Sequence, residues 1–330
     1  MTKIYDVTLR DGNHALRHTL NPKFVSQYCR LAETSEIWAL EVGHGNGLGA
    51  SSFLVGKSSS LDLELLSAAR QELKKVLLAV HAIPGFATIN RDLRPALKAG
   101  VDVFRIATHV TEADTSEKHI EFLASNDVTV HGVLMMSHMI DKEKLLGQVN
   151  LMKRYGATAV VLMDSAGYFL PKDVSERVDM IKQSVEIEVG FHAHNNLGSA
   201  VTNATTALDS GATILDGASM GLGAGAGNAQ LENIVASLIR TGESRLDLNR
   251  FLEMSQIVES GFPENLPRPN ASSVKSGMSG VFSGYAPQVK NISDELGIDP
   301  NILWNEIGKR KLVPGQESMI REIAQDLMNL

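Results

Sequence analysis

Short runs of β-branched and other apolar residues recur along the chain, and each is followed by a longer segment with helical spacing and charged positions. This alternation is typical of repeated strand–helix units rather than of a β-sandwich. Asn21 and Pro22 mark the start of the first long helix, because asparagine caps helices and proline suits their first turn. The pattern predicts strands at Ile4 to Leu9, Ile37 to Val42, Val76 to His81, Val103 to Thr108, Thr129 to Met135, Ala159 to Met163, Glu188 to His192 and Thr213 to Asp216.

Eight such units favour a closed α/β architecture, the (β/α)8 or TIM barrel. The competing architecture is an open doubly wound sheet, but no Gly-x-Gly-x-x-Gly string follows an early strand. We therefore expect the first eight strands to close on one another, with their carboxyl ends meeting at one mouth.

The chain changes character after the last predicted strand. The segment 261–270 (GFPENLPRPN) contains three prolines and is typical of a linker. Helical spacing without strands follows it, and an apolar face near the end comprises Met319, Ile320, Ile323, Leu327 and Leu330. These changes predict a barrel domain over 1–260 and a small helical domain over 261–330, available for contact with a partner or for covering the active site.

The composition narrows the classes of partner. The 31 Lys and Arg against 38 Asp and Glu leave a formal charge of −7, which argues against nucleic acid. Cys29 is the single cysteine, so neither an intrachain disulfide nor a cysteine-based metal site is available. No apolar stretch is long enough to span a membrane, and the start of the chain lacks a secretory signal. We expect a cytoplasmic protein.

The seventh predicted strand ends in two histidines with metal-ligand spacing. His192 and His194 are two residues apart, so both imidazoles project to one face of an extended chain. Two imidazoles are an incomplete set of ligands, and Asp11 follows the first strand, near the seventh in a closed barrel. A surface turn is the alternative for the histidines alone. The added aspartate favours a divalent-metal site.

Two further residues at the same mouth have the chemistry of a catalytic site. Arg10 precedes Asp11, and its permanent charge could stabilise an enolate or bind a carboxylate; a structural ion pair is the alternative. His14 could act as a general base, because imidazole titrates near neutrality; a solvated loop histidine beside His18 is equally compatible with the spacing.

A glycine-rich segment, MGLGAGAGNAQLE (220–232), follows the eighth strand. Its glycines allow close approach of backbone N–H groups to an anion, but the spacing matches no phosphate-binding motif, and a loop that closes over the site is the alternative. Asn228 is expected to cap the next helix, with metal ligation by its side-chain oxygen as the other option.

Other strand ends carry polar residues eligible for substrate contact, although helix capping and packing explain each of them as well. Asp164 and Ser165 close the sixth strand and could order a substrate carboxylate. The remaining positions are Glu41 and His44 after the second strand, His109 and Glu112 after the fourth, and Ser137 and His138 after the fifth.

Seven segments spread over nearly the whole chain resemble one family, the 4-hydroxy-2-oxovalerate aldolases. These are metal-dependent lyases related to hydroxymethylglutaryl-CoA lyase and isopropylmalate synthase. The segments are DVTLRDGNHALRH (6–18), EVGHGNGL (41–48), ATHVTEAD (107–114), LMMSHM (134–139), GFHAHNNLG (190–198), GLGAGAGNAQLE (221–232) and KLVPGQESMI (311–320).

The resemblance implies cleavage of a 4-hydroxy-2-oxoacid to pyruvate and an aldehyde. It also implies Mn²⁺, or Mg²⁺, Co²⁺ or Zn²⁺, on Asp11, His192 and His194, with the substrate bound at the ion. In this scheme Arg10 offsets the enolate charge, His14 takes the proton of the C4 hydroxyl and Ser165 holds the substrate carboxylate. Family members commonly pair with an acylating acetaldehyde dehydrogenase, which receives the aldehyde, so such a partner is implied as well.

One position departs from the family. The family's catalytic tyrosine lies in a GYAGVYSSF segment, which corresponds to GMSGVFSGY in this chain. Phe282 occupies the position of that tyrosine and has no proton to donate. Tyr285 lies three residues later, one helical turn away, and is the predicted replacement; Tyr168 and a water are alternatives. The third strand also ends His81-Ala82-Ile83-Pro84 where the family has an apolar run, which points to a different substrate pocket.

Three rival functions remain compatible with these residues. A condensing enzyme of the same superfamily, by aldol synthesis or with acyl-CoA, would use the enolate to attack instead of protonating it. An Fe(II) oxygenase also uses two histidines and a carboxylate, although usually in an all-β barrel. An inactive scaffold for an aldehyde dehydrogenase would explain Phe282, but the intact set around Asp11 argues against it.

Overall fold

The computed structural model describes residues 2–313 and 315–329, and eight parallel strands form a closed barrel in chain order. The predicted TIM barrel is therefore confirmed, with boundaries within two or three residues of the expected ones. The strands are β1 (Lys3–Asp6), β2 (Ala39–Glu41), β3 (Leu77–Ala82), β4 (Val103–His109), β5 (Thr129–Met135), β6 (Ala159–Asp164), β7 (Glu188–Ala193) and β8 (Ile214–Gly217).

Closure between the first and last strands sets the geometry of the mouth. β1 pairs with β8 from Lys3 opposite Ile214 to Asp6 opposite Gly217, and β8 pairs with β7. This register places the segment after β1 next to the end of β7. Residues far apart in sequence, near positions 11 and 194, consequently meet at one edge.

Helices surround the barrel, and their starts follow the expected local rules. The side chain of Asn21 accepts a hydrogen bond from Phe24 N at 3.0 Å, with Pro22 at the first helical position. The barrel helices are α1 (Gly12–Ala15), α2 (Pro22–Ala32), α3 (Asp62–Glu72), α4 (Arg94–Lys98), α5 (Glu117–Ala124), α6 (Lys142–Tyr155), α7 (Pro171–Ser184), α8 (Ala200–Asp209), α9 (Leu231–Thr241) and α10 (Leu248–Gly261).

The C-terminal region is helical and has an apolar cluster of its own. Its helices are α11 (Ala271–Met278), α12 (Ala286–Leu296), α13 (Pro300–Lys309) and α14 (Ser318–Met328). Trp304 is 1% exposed at the centre of this cluster, and Ile320 and Ile323 of α14 pack beside it. Met319 and Leu327 border the cluster as the apolar face predicted, whereas Leu330 lies outside the described residues.

The proline-rich segment between the two regions, 261–270, is not extended along its whole length. α10 ends at Gly261, and a single 3₁₀ turn follows at Pro263–Asn265. Within it, Asn265 Nδ2 donates to the carbonyl of Ala15 at 2.9 Å, which ties the segment to the barrel mouth. Among the described residues, no helix has the length and apolarity needed to cross a bilayer.

Candidate active site

Asp11, His192 and His194 converge at the carboxyl ends of β1 and β7. One ligand atom from each residue lies within 4.8 Å of the other two, and all three residues are buried. The Nε2 atoms of the two histidines are 3.4 Å apart. The extended backbone of β7 sends both rings to one face, and barrel closure brings Asp11 against them.

The protonation states of these donors suit a cation. Burial opposes the ionisation of Asp11, but the adjacent Arg10 guanidinium holds the pKa of that carboxyl well below its ordinary value. Burial lowers the pKa of His194 to about 4, so its imidazole is neutral at physiological pH. A carboxylate with neutral imidazoles is a donor set that binds first-row divalent metals.

Arg10 is clamped between two carboxylates. Its Nη1 donates to Asp11 Oδ2 at 2.6 Å and its Nε donates to Glu41 Oε2 at 2.7 Å. Nη1 also donates to the carbonyl of Gly45 at 3.2 Å, whereas Nη2 is buried without a partner among the described residues. An unpartnered buried donor costs free energy, so Nη2 is a ready contact for an anionic oxygen of a ligand.

His14 lies on α1 and borders the same cavity as Asp11 and His194. Burial lowers the pKa of its imidazole to about 4, so the ring is in its basic, neutral form. A Cβ atom on Gly45 would lie 2.7 Å from the ring carbons of His14. The glycine after β2 is thus required by the close approach of this imidazole.

The glycine-rich segment after β8 closes around the donor cluster. A Cβ on Gly223 would lie 2.9 Å from Asp11 Oδ1, so only glycine fits there. The expectation that Asn228 caps the next helix is wrong, because Gln230 occupies the N-cap position. Asn228 Nδ2 instead donates to Asp11 Oδ1 at 2.9 Å and to the carbonyl of Leu222 at 2.8 Å, because the loop turns back over the barrel mouth.

A cavity of about 460 Å³ opens beside these residues. Ser165, the predicted carboxylate contact, lies on its wall, and Ser165 Oγ accepts a hydrogen bond from the N–H of Met136 at 3.0 Å. Met136 has a left-handed backbone with φ of 55°. His109 and Glu112 also line the cavity.

Two other histidines named from the sequence bind backbone carbonyls. His44 Nε2 lies 3.0 Å from the carbonyl of Gly56, and His138 Nε2 lies 3.0 Å from that of Gly280. The second contact joins the end of β5 to the C-terminal region. Both residues therefore hold loops in place.

The C-terminal region supplies one wall of the cavity. Phe282 is among the lining residues, at the position where the family carries its tyrosine. Tyr285 is 1% exposed, belongs to the C-terminal apolar cluster and is absent from the lining. Phe282 precedes a 3₁₀ turn with ψ of 124°, so the two residues are not one turn apart on a continuous helix, contrary to our expectation, although their rings lie edge to face with centroids 5.9 Å apart. A proton-donor role for Tyr285 gains no support from this placement.

Tyr168, the alternative proton donor, is not among the residues that line the cavity. Tyr168 is 40% exposed, and its ring lies 5.0 Å from that of His138. The carboxylate of Asp164 accepts hydrogen bonds from the N–H groups of Tyr168 and Phe169 at 2.9 and 3.0 Å. Asp164 therefore shapes the turn after β6, and burial raises its pKa to about 7.

Inside the barrel lie charged residues to which the sequence analysis gave no role. Arg105 of β4 and Asp216 of β8 are both at most 1% exposed, and Arg105 Nη2 donates to Asp216 Oδ2 at 2.7 Å. The same oxygen lies 2.9 Å from His192 Nδ1. The sequence did contain a signal for these two residues: Arg105 in VFRIA and Asp216 in TILDG are each the only charged residue in an otherwise apolar strand, which is unusual for a buried segment.

The residues fit a divalent cation. Besides the three donors, the side-chain oxygen of Asn228 is buried without a partner among the described residues, next to Asp11. A buried oxygen in that state and two convergent imidazole nitrogens are costly unless something positive lies between them. The cluster therefore has the donor set and the burial of a divalent-metal site.

The comparisons with known proteins agree with this geometry. Residues 1–258 match the HMGL-like family, and residues 267–329 match the DmpG-like communication domain. The 4-hydroxy-2-oxovalerate aldolase of Spirochaeta aurantia is 48% identical over 98% of this chain and 95% of its own length. The enzyme of that name from Pectobacterium atrosepticum is 47% identical over 98% of this chain and 94% of its own.

A solved structure extends the likeness at the level of the fold alone. The carboxyl transferase domain of Rhizobium etli pyruvate carboxylase has a TM-score of 0.82 at 16% identity, covering 98% of this chain and 60% of that one. The full-length matches and the buried Asp–His–His cluster lead to one conclusion. The chain belongs to the 4-hydroxy-2-oxovalerate aldolase family of carbon–carbon lyases.

Proposed function

We propose that this protein cleaves 4-hydroxy-2-oxopentanoate, or a related 4-hydroxy-2-oxoacid, to pyruvate and an aldehyde. The proposal rests on Arg10 Nη2, which has no hydrogen-bond partner in residues 2–313 and 315–329 and is held beside the Asp11–His192–His194 cluster. Retro-aldol cleavage develops negative charge on the 2-oxo oxygen, and a fixed guanidinium donor stabilises such charge.

Asp11, His192 and His194 would hold the divalent cation, for which we propose Mn²⁺. When bound, the cation supplies a Lewis acid for the 2-oxoacid end of the substrate. Asp11 is kept ionised by Arg10, and Asn228 keeps one of its oxygens oriented. Activity restored by Mg²⁺, Co²⁺ or Zn²⁺ but not by Mn²⁺ would correct the choice of ion.

His14 is the proposed base. Its neutral imidazole borders the cavity and takes the proton of the C4 hydroxyl as the C3–C4 bond breaks. The electron pair of that bond passes to C3 and the 2-oxo oxygen, where Arg10 offsets the charge. The aldehyde leaves with the former hydroxyl oxygen as its carbonyl oxygen.

The remaining step is protonation of C3 to give pyruvate. Phe282 lines the cavity and carries no acidic proton, so we propose that a solvent molecule delivers it. Ser165 is proposed to hold the substrate carboxylate, because its hydroxyl lies on the cavity wall and, within the described part of the chain, accepts a hydrogen bond from Met136 N alone. Its own O–H therefore remains available to donate.

The decisive experiment is direct. The protein, reconstituted with Mn²⁺, is incubated with 4-hydroxy-2-oxopentanoate, and pyruvate is followed with lactate dehydrogenase, with and without EDTA. Metal-dependent pyruvate release is expected. Absence of release from protein shown to bind Mn²⁺ would contradict cleavage of this substrate and shift the assignment to a longer-chain oxoacid or to condensation with an acyl-CoA.

We further propose that residues 261–330 form a separate domain that binds an acylating acetaldehyde dehydrogenase. The match of 267–329 to the DmpG-like communication domain supports this, as do apolar side chains exposed on its helices, Met278 at 65%, Met328 at 58% and Ile302 at 51%. Size-exclusion chromatography of the mixed proteins should show a complex. Ile302→Asp should weaken it, and Leu252→Asp, at an exposed position on α10, should not.

A further inference from the structure

A row of buried charges crosses the barrel beneath the donor cluster. Arg105 on β4 is flanked by Asp216 on β8 and Glu41 on β2, and each of the three is at most 1% exposed. Charges are rarely buried this fully unless each one is held by a partner. Structural stability alone is a poor explanation, because apolar residues fill such positions at no desolvation cost.

The contact at one end of the row determines the state of a metal ligand. Asp216 Oδ2 lies 2.9 Å from His192 Nδ1, and a carboxylate paired with a guanidinium can only accept. The contact is therefore a hydrogen bond that His192 Nδ1 donates. In the tautomer that carries its proton on Nδ1, Nε2 keeps a lone pair, and His194 Nε2 lies 3.4 Å from it.

The other end of the row reaches Asp11. Arg105 Nη1 is 3.6 Å from Glu41 Oε1, while the second oxygen of Glu41 accepts from Arg10 at 2.7 Å. Arg10 in turn donates to Asp11. One continuous chain of charges therefore joins His192 to Asp11, and Arg105 is the cation shared by its two halves.

We propose that Asp216 and Arg105 are positioning residues that fix the Nδ1-protonated tautomer and the ring orientation of His192, and thereby set the affinity for the divalent cation. The inference rests on the metal site proposed above. An ion-bound imidazole whose second nitrogen donates to a carboxylate is oriented before the ion arrives and is a stronger base. Arg105 keeps Asp216 ionised and stationary for that purpose.

Mn²⁺ binding by the metal-free, full-length protein tests this without any assay of turnover. Free Mn²⁺ is measured by EPR during titration of the wild type, Asp216→Asn and Asp216→Ala. We expect the dissociation constant to rise by about 10- to 100-fold in Asp216→Ala, as removal of such partners usually does. A rise of about fivefold is expected in Asp216→Asn, which retains an acceptor oxygen but no charge.

Asp6→Asn is the matched control. Asp6 is a buried carboxylate on the neighbouring strand β1, and its partners are Thr8 and Tyr28 rather than a metal ligand. Its loss should lower thermal stability and leave the Mn²⁺ dissociation constant within twofold of that of the wild type.

The tautomer itself provides a second measurement. In protein labelled with ¹⁵N-histidine, the His192 signals are identified by their absence from His192→Asn. They should show a protonated Nδ1 in the wild type and a mixture of tautomers in Asp216→Asn. This readout does not change if Asp216 only contributes to stability.

The outcomes separate the two proposals. No Mn²⁺ binding by the wild type would contradict the metal site. Binding by the wild type with an unchanged dissociation constant in Asp216→Ala would overturn the role of Asp216. If Asp216→Ala does not fold, an unchanged constant and tautomer in Asp216→Asn overturn it equally well.

Discussion

The cavity has two unlike walls. The barrel wall carries Asp11, His14 and His194, with buried charges behind them that hold each other at hydrogen-bond distance. The C-terminal wall presents the apolar side chains of Phe282 and Val313 together with the polar Gln288 and the half-buried Glu317. The difference separates two tasks: strand ends hold charged groups in fixed positions, and the added helices close one side of the cavity.

The physical reason lies in how each wall is supported. Strands β1, β2, β4, β7 and β8 are locked by barrel hydrogen bonds, so a charge on one strand finds its partner on another at a fixed distance. The C-terminal wall is held by its own apolar cluster and by contacts such as that of His138 with the carbonyl of Gly280. Apolar packing fixes a surface, but it does not stabilise a buried charge.

The sharpest test of the barrel wall is His192→Ala. Loss of one of three donors should abolish Mn²⁺ retention and reduce turnover by about 10³-fold or more, because several kcal/mol of charge stabilisation disappear. Treatment of the wild type with EDTA should have the same effect. His119→Ala, at a half-buried position on α5, is the control and should remain active. Wild-type turnover in His192→Ala would refute the metal site.

Arg10→Met removes the guanidinium and keeps most of its apolar length. We expect kcat/KM to fall by about 10²- to 10³-fold, the cost of losing one donor to a developing oxyanion. Arg70→Met breaks an ion pair with Asp102, at 2.8 Å, on the outside of the barrel and serves as the control. An unchanged kcat/KM in Arg10→Met would eliminate its assigned role.

Phe282→Tyr tests whether a side chain of the C-terminal wall can act as a proton donor. A phenol at this position should speed exchange of solvent deuterium into the methyl group of pyruvate by about 10²-fold, the lower end of what a positioned general acid supplies. NMR of pyruvate in D₂O measures the exchange. Tyr285→Phe is the matched change three residues later and should leave the exchange rate unchanged. The reverse pattern would restore Tyr285 as the acid.

Trp304→Ala should have the smallest effect on the chemistry and a large one on the C-terminal wall. Removing this buried ring costs about 3–5 kcal/mol of local stability. We expect a lower midpoint of thermal unfolding with an unchanged Mn²⁺ dissociation constant. A weakened Mn²⁺ site would show that the two walls are not independent.

Local sequence signals predicted much of the site. His192 and His194 could be paired from spacing alone, since extended residues two apart share a face. Asn228 and Tyr285 were misplaced for a common reason: a helix-based rule was applied where the chain forms a loop or a 3₁₀ turn. Such rules hold only while the backbone stays helical.

The sequence by itself determined the barrel, its eight units and the helical tail, because the hydrophobic period is a property of neighbouring residues. It also predicted which three side chains, those of Asp11, His192 and His194, converge as candidate metal donors. Only the tertiary structure decided that Arg105 lies between Glu41 and Asp216, that Asp216 reaches His192, and that Phe282 faces the cavity. Those contacts join residues from different strands and regions, and their distances exist only once the barrel closes and the helices dock.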